Sequence, residues 1–125
     1  MSTGLIDGAM DLLADHCVVE TGTSGIWFYR KWSDGTAECW GGKYYTVSLN
    51  TVATYYHRGA ISNVSFPSGL FTEAPLTQAT ATNNTYWITL QGVSKTAIST
   101  IHVYDVVNGT NVSVYASLYA RGKWK

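Results

Sequence analysis

Between Gly25 and Gly42 the chain reads Gly-Ile-Trp-Phe-Tyr-Arg-Lys-Trp-Ser-Asp-Gly-Thr-Ala-Glu-Cys-Trp-Gly-Gly, a pattern that leaves little room for anything but a β-hairpin. Ile26 to Trp32 is β-branched or aromatic at nearly every position, Ser33-Asp34-Gly35 is turn chemistry, and Thr36 to Trp40 resumes the strand. The turn decides the register. A type I turn on Ser33-Asp34 with Gly35 left-handed sets Trp32 against Thr36 and Arg30 against Glu38, whereas a two-residue turn on Asp34-Gly35 pairs Lys31 with Glu38. Glu38 faces a cation either way, so its expected role is register control, worth under ~1 kcal/mol if exposed. Trp40 precedes Gly41-Gly42 and lies across from Phe28 or Tyr29, which makes it the ring expected in the core.

Beyond the hairpin the pattern stays β. Lys43 to His57 alternates loosely, with a break expected near Asn50-Thr51, and Ala60 to Phe66 forms a strand that Pro67-Ser68-Gly69 stops. Leu76 to Thr82, Tyr86 to Val93 and Ala97 to Val107 follow. Asn108-Gly109 is a strong hairpin turn, so Thr100–Val107 is expected to pair antiparallel with Thr110–Tyr119. Short strands with polar turns and no intervening helices predict a single antiparallel β-sandwich-like domain, all-β, over residues 16–125. A short N-terminal helix is expected over residues 1–15. There Ile6, Met10 and Leu13 are spaced four then three, and Asp7, Asp11 and Asp15 fall off that stripe, as in the last turns of a stalk.

Composition narrows the function. A chain of 125 residues can bury one continuous core. The formal net charge is zero and 13% of residues are charged, so there is no basic face for nucleic acid. The longest apolar run falls far short of the ~18 residues of a membrane-spanning helix. Cys17 and Cys39 have no Cys-x-x-Cys spacing and no adjacent histidine pair, which argues against zinc and leaves a disulfide between them open. His16, His57 and His102 lie in separate segments, and His102 and Asp105, three apart on a strand, point to opposite faces. No Gly-x-Ser-x-Gly elbow, phosphate-cradling loop or locally spaced carboxylate pair is present. The expectation is a protein that is not an enzyme and takes no cofactor or metal.

The stretch Gly25–Gly41, with Val64–Thr80 ("VSFPSGLFTEAPLTQAT") and Val112–Lys125 ("VSVYASLYARGKWK"), resembles the C-terminal tip domains of tail-fibre and minor structural proteins of phages and prophages, especially those of gut Firmicutes. The resemblance implies a homotrimeric β-domain that follows upstream fibre segments at the virion's fibre tip. It also implies receptor binding to a bacterial cell-surface glycan. Such a protein is made in the bacterial host cytoplasm, where both cysteines are expected reduced and Cys39 buried. A fibre-capping, trimerising domain without ligand is the alternative from another class, with a glycan-degrading enzyme behind it.

Recognition is expected on loops at the end of the sandwich. Two stretches qualify as ligand-binding candidates: Tyr55, Tyr56, His57 and Arg58, read as ending a strand with two rings, an imidazole and a cation; and Asn84 with Trp87, amide beside ring. Alternation along Tyr86-Trp87-Ile88 sends Trp87 to the face opposite its neighbours.

Overall fold

The structure, a computed structural model, describes residues 17–125; the expected N-terminal helix lies outside the described residues. The β-branched and aromatic runs form nine strands: β1 (Val18–Ser24), β2 (Trp27–Trp32), β3 (Thr36–Leu49), β4 (Thr51–Val52), β5 (His57–Ser65), β6 (Leu76–Ala81), β7 (Trp87–Val93), β8 (Ala97–Asp105) and β9 (Gly109–Lys123). They build two antiparallel sheets, one ordered β1-β2-β3-β9-β6 and the other β4-β5-β8-β7.

The hairpin takes the first of its two expected registers. Gly35 has φ 97°, its N–H donates to the Trp32 carbonyl at 3.0 Å, and Asp34 Oδ1 accepts from the Thr36 N–H at 2.9 Å. Arg30 then stands opposite Glu38 and Phe28 opposite Trp40. Because strand side chains alternate, this register puts Phe28 and Trp40 together on one face and Trp27 on the other. The core lies on Trp27's side. Trp27 is 2% exposed, its Nε1–H donates to the Ser65 carbonyl at 2.7 Å, and its ring meets Phe66 at 5.6 Å. The expectation that Trp40 is buried is therefore overturned: it is half-buried on the outer face, stacked on the 55% exposed Phe28 at 6.3 Å.

Inward residues of both sheets form one cluster. Val47 and Leu49 of β3 and Val114 and Leu118 of β9 meet Ile61 of β5 and Ile98, Ile101 and Val103 of β8, with Phe66, Leu70 and Phe71 of the following loop closing one side. Cys39 is buried as expected and forms no disulfide with Cys17. Burial, and then the neighbouring Glu38 charge, pushes the Cys39 thiol up to about 12. At the end of β9, Trp124 returns to the hairpin turn, its Nε1–H on the Trp32 carbonyl at 2.7 Å and its backbone N–H on the Gly35 carbonyl at 2.9 Å.

Two further expectations are corrected. β8 and β9 are not a hairpin, since β8 pairs with β5 and β7 in one sheet and β9 with β3 and β6 in the other. Neither Asn108 nor Gly109 has the positive φ that a tight two-residue hairpin turn needs, and residues 106–108 instead carry the chain from sheet to sheet. The long strand expected from Lys43 to His57 does break at Asn50. It continues only as Thr51–Val52, however, and after a turn closed by the Ala53 N–H on the Tyr56 carbonyl at 2.9 Å, His57 opens β5. Tyr55–Arg58 thus begins a strand and does not end one.

Candidate functional site

The outer face of the four-stranded sheet is a small grid set by the register. Its first row is Arg58 on β5, Tyr104 on β8 and Trp87 on β7; its second is Ala60, His102 and Thr89; its third is Ser62, Thr100 and Gln91. The inward residues between them, Ile61, Ile101 and Val103, are buried, which obliges these side chains to face outward.

Rings dominate the first row. Trp87, 42% exposed, stacks on Tyr104 with centroids 5.6 Å apart and planes within 8°. Tyr56, from the β4–β5 turn, meets Tyr104 edge-on at 5.2 Å. Stacked and edge-on pairs of this kind hold their rings in fixed orientation. Below them the face turns polar: Thr89 Oγ1 donates to the Tyr104 hydroxyl at 3.3 Å, and His102 Nε2 lies 2.5 Å from Gln91 Oε1. A flat aromatic shelf beside hydroxyl, amide and imidazole groups suits a ligand with one apolar face and a rim of hydroxyls.

The two stretches singled out in the sequence converge on this shelf, but its centre, Arg58, Tyr104 and Trp87, lies on strands, whereas the sequence pointed to loops and away from strand faces. Tyr55, 86% exposed, projects from the β4–β5 turn next to Tyr56. Asn84, exposed and with φ 54°, occupies the β6–β7 turn just before Trp87. That turn is moored to β8, because Thr85 Oγ1 donates to Asp105 Oδ1 at 3.0 Å. Trp87 faces away from Tyr86 and Ile88, both of which pack on the core, as alternation requires. His57 is not brought to the shelf: it pairs with Asp105 in the register and shares the inward parity of Gly59 and Ile61. Tyr104, which joins the two stretches, was not among the sequence candidates. The signal for it was the alternation Thr100, His102, Tyr104 against Ile101, Val103, a polar and aromatic face on a strand whose other face is apolar.

The outer face of the five-stranded sheet is built differently. Glu38 is only 8% exposed although its strand neighbours Ala37 and Cys39 point into the core. Arg30 Nε donates to its Oε1 and the Tyr119 hydroxyl to its Oε2, the latter at 2.5 Å. The Arg30 guanidinium lies 5.3 Å from the centre of the Trp32 ring and 5.1 Å from that of Trp40. Burial pushes the Glu38 carboxyl up, but the hydrogen bonds from Tyr119 and Arg30 and the charges of Arg30 and Arg121 outweigh it and hold the pKa below its usual value. Every oxygen of this carboxylate is occupied, so the cluster is a latch across β2, β3 and β9. A depression of about 370 Å³ lies at the far end of β5, between the β1–β2 turn, Lys43, Tyr45 and Asn63; none of the sequence candidates lines it.

Among the described residues no group of three His, Cys, Asp or Glu side chains is placed to hold a metal ion, and no helix is long and apolar enough to cross a membrane. No protein-family model matches the chain, and no curated protein matches it in sequence. Solved structures do. An N-truncated R1-type pyocin tail fibre superposes with a TM-score of 0.57 at 16% identity, over 98% of each chain. A C-terminal part of the P. aeruginosa R1 pyocin fibre superposes with a TM-score of 0.54 at 13% identity, over 98% of this chain and 32% of that one. In fold, this β-sandwich is similar to the R1 pyocin tail fibre.

Proposed function

We propose that the chain is a tail-fibre domain of a phage or phage-derived particle, that it works as a homotrimer joined to upstream fibre segments, and that it binds a bacterial cell-surface saccharide through the outer face of the four-stranded sheet. The stacked Trp87–Tyr104 pair carries this reading. An exposed indole held flat on a phenol, with hydroxyls and an amide one row below, is the arrangement a pyranose needs: its C–H face lies on the rings and its hydroxyls reach the polar row. The fibre context rests on the fold likeness to R1 pyocin fibres over the length of this chain, and on the resemblance of its hairpin to phage tip domains. The reading is of binding without turnover: among the described residues the shelf presents no carboxylate, and Asp105, on the β8 strand behind it, is buried and accepts from Thr85 and from the Val106 N–H at 2.7 Å.

Adsorption of the domain to host cells, compared between the parent and the variants Tyr55→Ala, Arg58→Ala, Asn84→Ala and Trp87→Ala, tests the site. Trp87→Ala is expected to lose roughly 5- to 150-fold in apparent affinity, since a ring on which a flat ligand stacks is worth ~1–3 kcal/mol by truncation, with the fold intact by circular dichroism. If all four folded variants adsorb like the parent, the capping role without ligand replaces this reading. Light scattering that gives a monomer at micromolar concentration removes the trimer from it. Three sites on one trimer gain apparent affinity by avidity, each bound site raising the effective concentration for the next, so a monomeric form is expected to adsorb far more weakly than a trimer.

A further inference from the structure

We propose that this shelf selects an anionic saccharide, one carrying a carboxylate or a phosphate, and that Arg58 is the residue that reads the charge. The inference rests on the saccharide reading of the same face and adds to it the class of ligand.

Arg58 is half-buried at the start of β5. Among the described residues it has no ion pair, no hydrogen bond and no stacked ring, in contrast to Arg30, which is paired with Glu38 and flanked by two tryptophans. Its guanidinium is not among the buried polar atoms, so it can take an anion without giving up a contact. Nothing on this sheet competes for it. Its four strands carry two formally charged residues, Arg58 and Asp105. Asp105 has the opposite, inward parity and is committed to Thr85 and Val106. Among the described residues the outer face therefore carries a cation and no carboxylate of its own, and its imidazole, His102, sits one row below with Nδ1 buried and unpartnered.

Position completes the argument. Arg58, Tyr104 and Trp87 are consecutive partners in one row, so the arginine backbone stands roughly 10 Å from that of Trp87, two strand spacings away. A sugar lying on the stacked rings brings a ring substituent toward the guanidinium, whose fork matches both carboxylate and phosphate oxygens in bidentate fashion. A neutral sugar on the same rings leaves that fork unused.

The test immobilises the full chain and titrates three probes: oligogalacturonate, phosphorylated dextran and uncharged dextran. At least one anionic probe is expected to bind roughly 10- to 100-fold more tightly than dextran, the range of a charge-assisted hydrogen bond. That preference is expected to fall as salt is raised, and which of the two probes is favoured tells carboxylate from phosphate. Arg58→Gln is expected to erase the preference, leaving anionic and uncharged probes bound equally, and Arg58→Lys to restore part of it, each with the fold intact by circular dichroism. Trp87→Ala is expected to weaken all probes alike. A parent that binds dextran as tightly as both anionic probes, or an Arg58→Gln variant that keeps the preference, overturns the anion proposal and leaves the saccharide shelf standing. Failure of every probe, together with unchanged cell adsorption by Trp87→Ala, overturns both.

Discussion

Trp27→Ala and Trp40→Ala remove the same indole from opposite faces of one hairpin, and the structure assigns them very different costs. Trp27 is enclosed by the core, touches Phe66 and anchors the Ser65 carbonyl; truncating a buried ring of this kind costs ~3–5 kcal/mol. Trp40 stacks on Phe28 and lies beneath the Arg30 guanidinium, two contacts worth together ~1–2 kcal/mol. For a domain of this length each kcal/mol moves the midpoint by about 4 °C. Thermal unfolding by calorimetry is therefore expected to fall by about 12–20 °C for Trp27→Ala and about 4–8 °C for Trp40→Ala. Trp27→Phe separates packing from hydrogen bonding: it keeps a ring and strands the Ser65 carbonyl, at a cost of ~1–3 kcal/mol. Equal losses for the two alanine variants, or a larger one for Trp40→Ala, refute the assignment of the core face.

Glu38→Gln is expected to destabilise the fold by ~1–3 kcal/mol at neutral pH through the lost charge-assisted bonds to Arg30 and Tyr119. Because the folded-state pKa of Glu38 is lowered, that contribution is fully present above the ordinary carboxylate range and is lost as pH falls through the folded pKa, so melting curves of parent and variant are expected to converge in acid. Cys39, with its thiol pushed up to about 12, is expected to resist iodoacetamide at pH near 8 in the native state and to react only on unfolding, followed by mass spectrometry. Gly35→Ala, at φ 97°, is expected to cost ~1–2 kcal/mol in denaturant titration, while Asn108→Ala, outside any left-handed turn, stays within ~0.5 kcal/mol.

What could be read from the chain divides between local and distant causes. The β2–β3 hairpin was legible because Ser33-Asp34-Gly35 contains its own reason for turning, and the partners Arg30 and Glu38 lie within eight residues of each other. Asn108-Gly109 carries an equally strong local signal, yet β8 finds β5 and β7 and β9 finds β3 and β6; the competing partners are far away in sequence, and their burial outweighs a turn preference of about a kcal/mol. Alternation told correctly that Trp87 opposes Tyr86 and Ile88. It could not tell which side of the hairpin meets the second sheet, which is how Trp40 was mistaken for Trp27. Of the candidate site, Tyr55, Tyr56, Arg58, Asn84 and Trp87 were visible as residue types in turn-rich stretches, whereas their neighbourhood depends on Tyr104, placed between them by pairing across three strands.

The position of β9 has a consequence for biosynthesis. It is the last of the nine strands in order of synthesis, yet it lies inside the five-stranded sheet, between β3 and β6. A ribosome-bound chain that ends before Gly109 has made both neighbours and cannot join them, so the long edge of β3 and the whole of β6 wait without hydrogen-bond partners while the last strand is translated, roughly a second or more at ~5–20 residues per second. During that interval Val47, Leu49 and Phe71 lack the apolar wall that Val114 and Leu118 supply. Nascent chains of this protein are thus exposed to edge-to-edge pairing with one another, most acutely on polysomes.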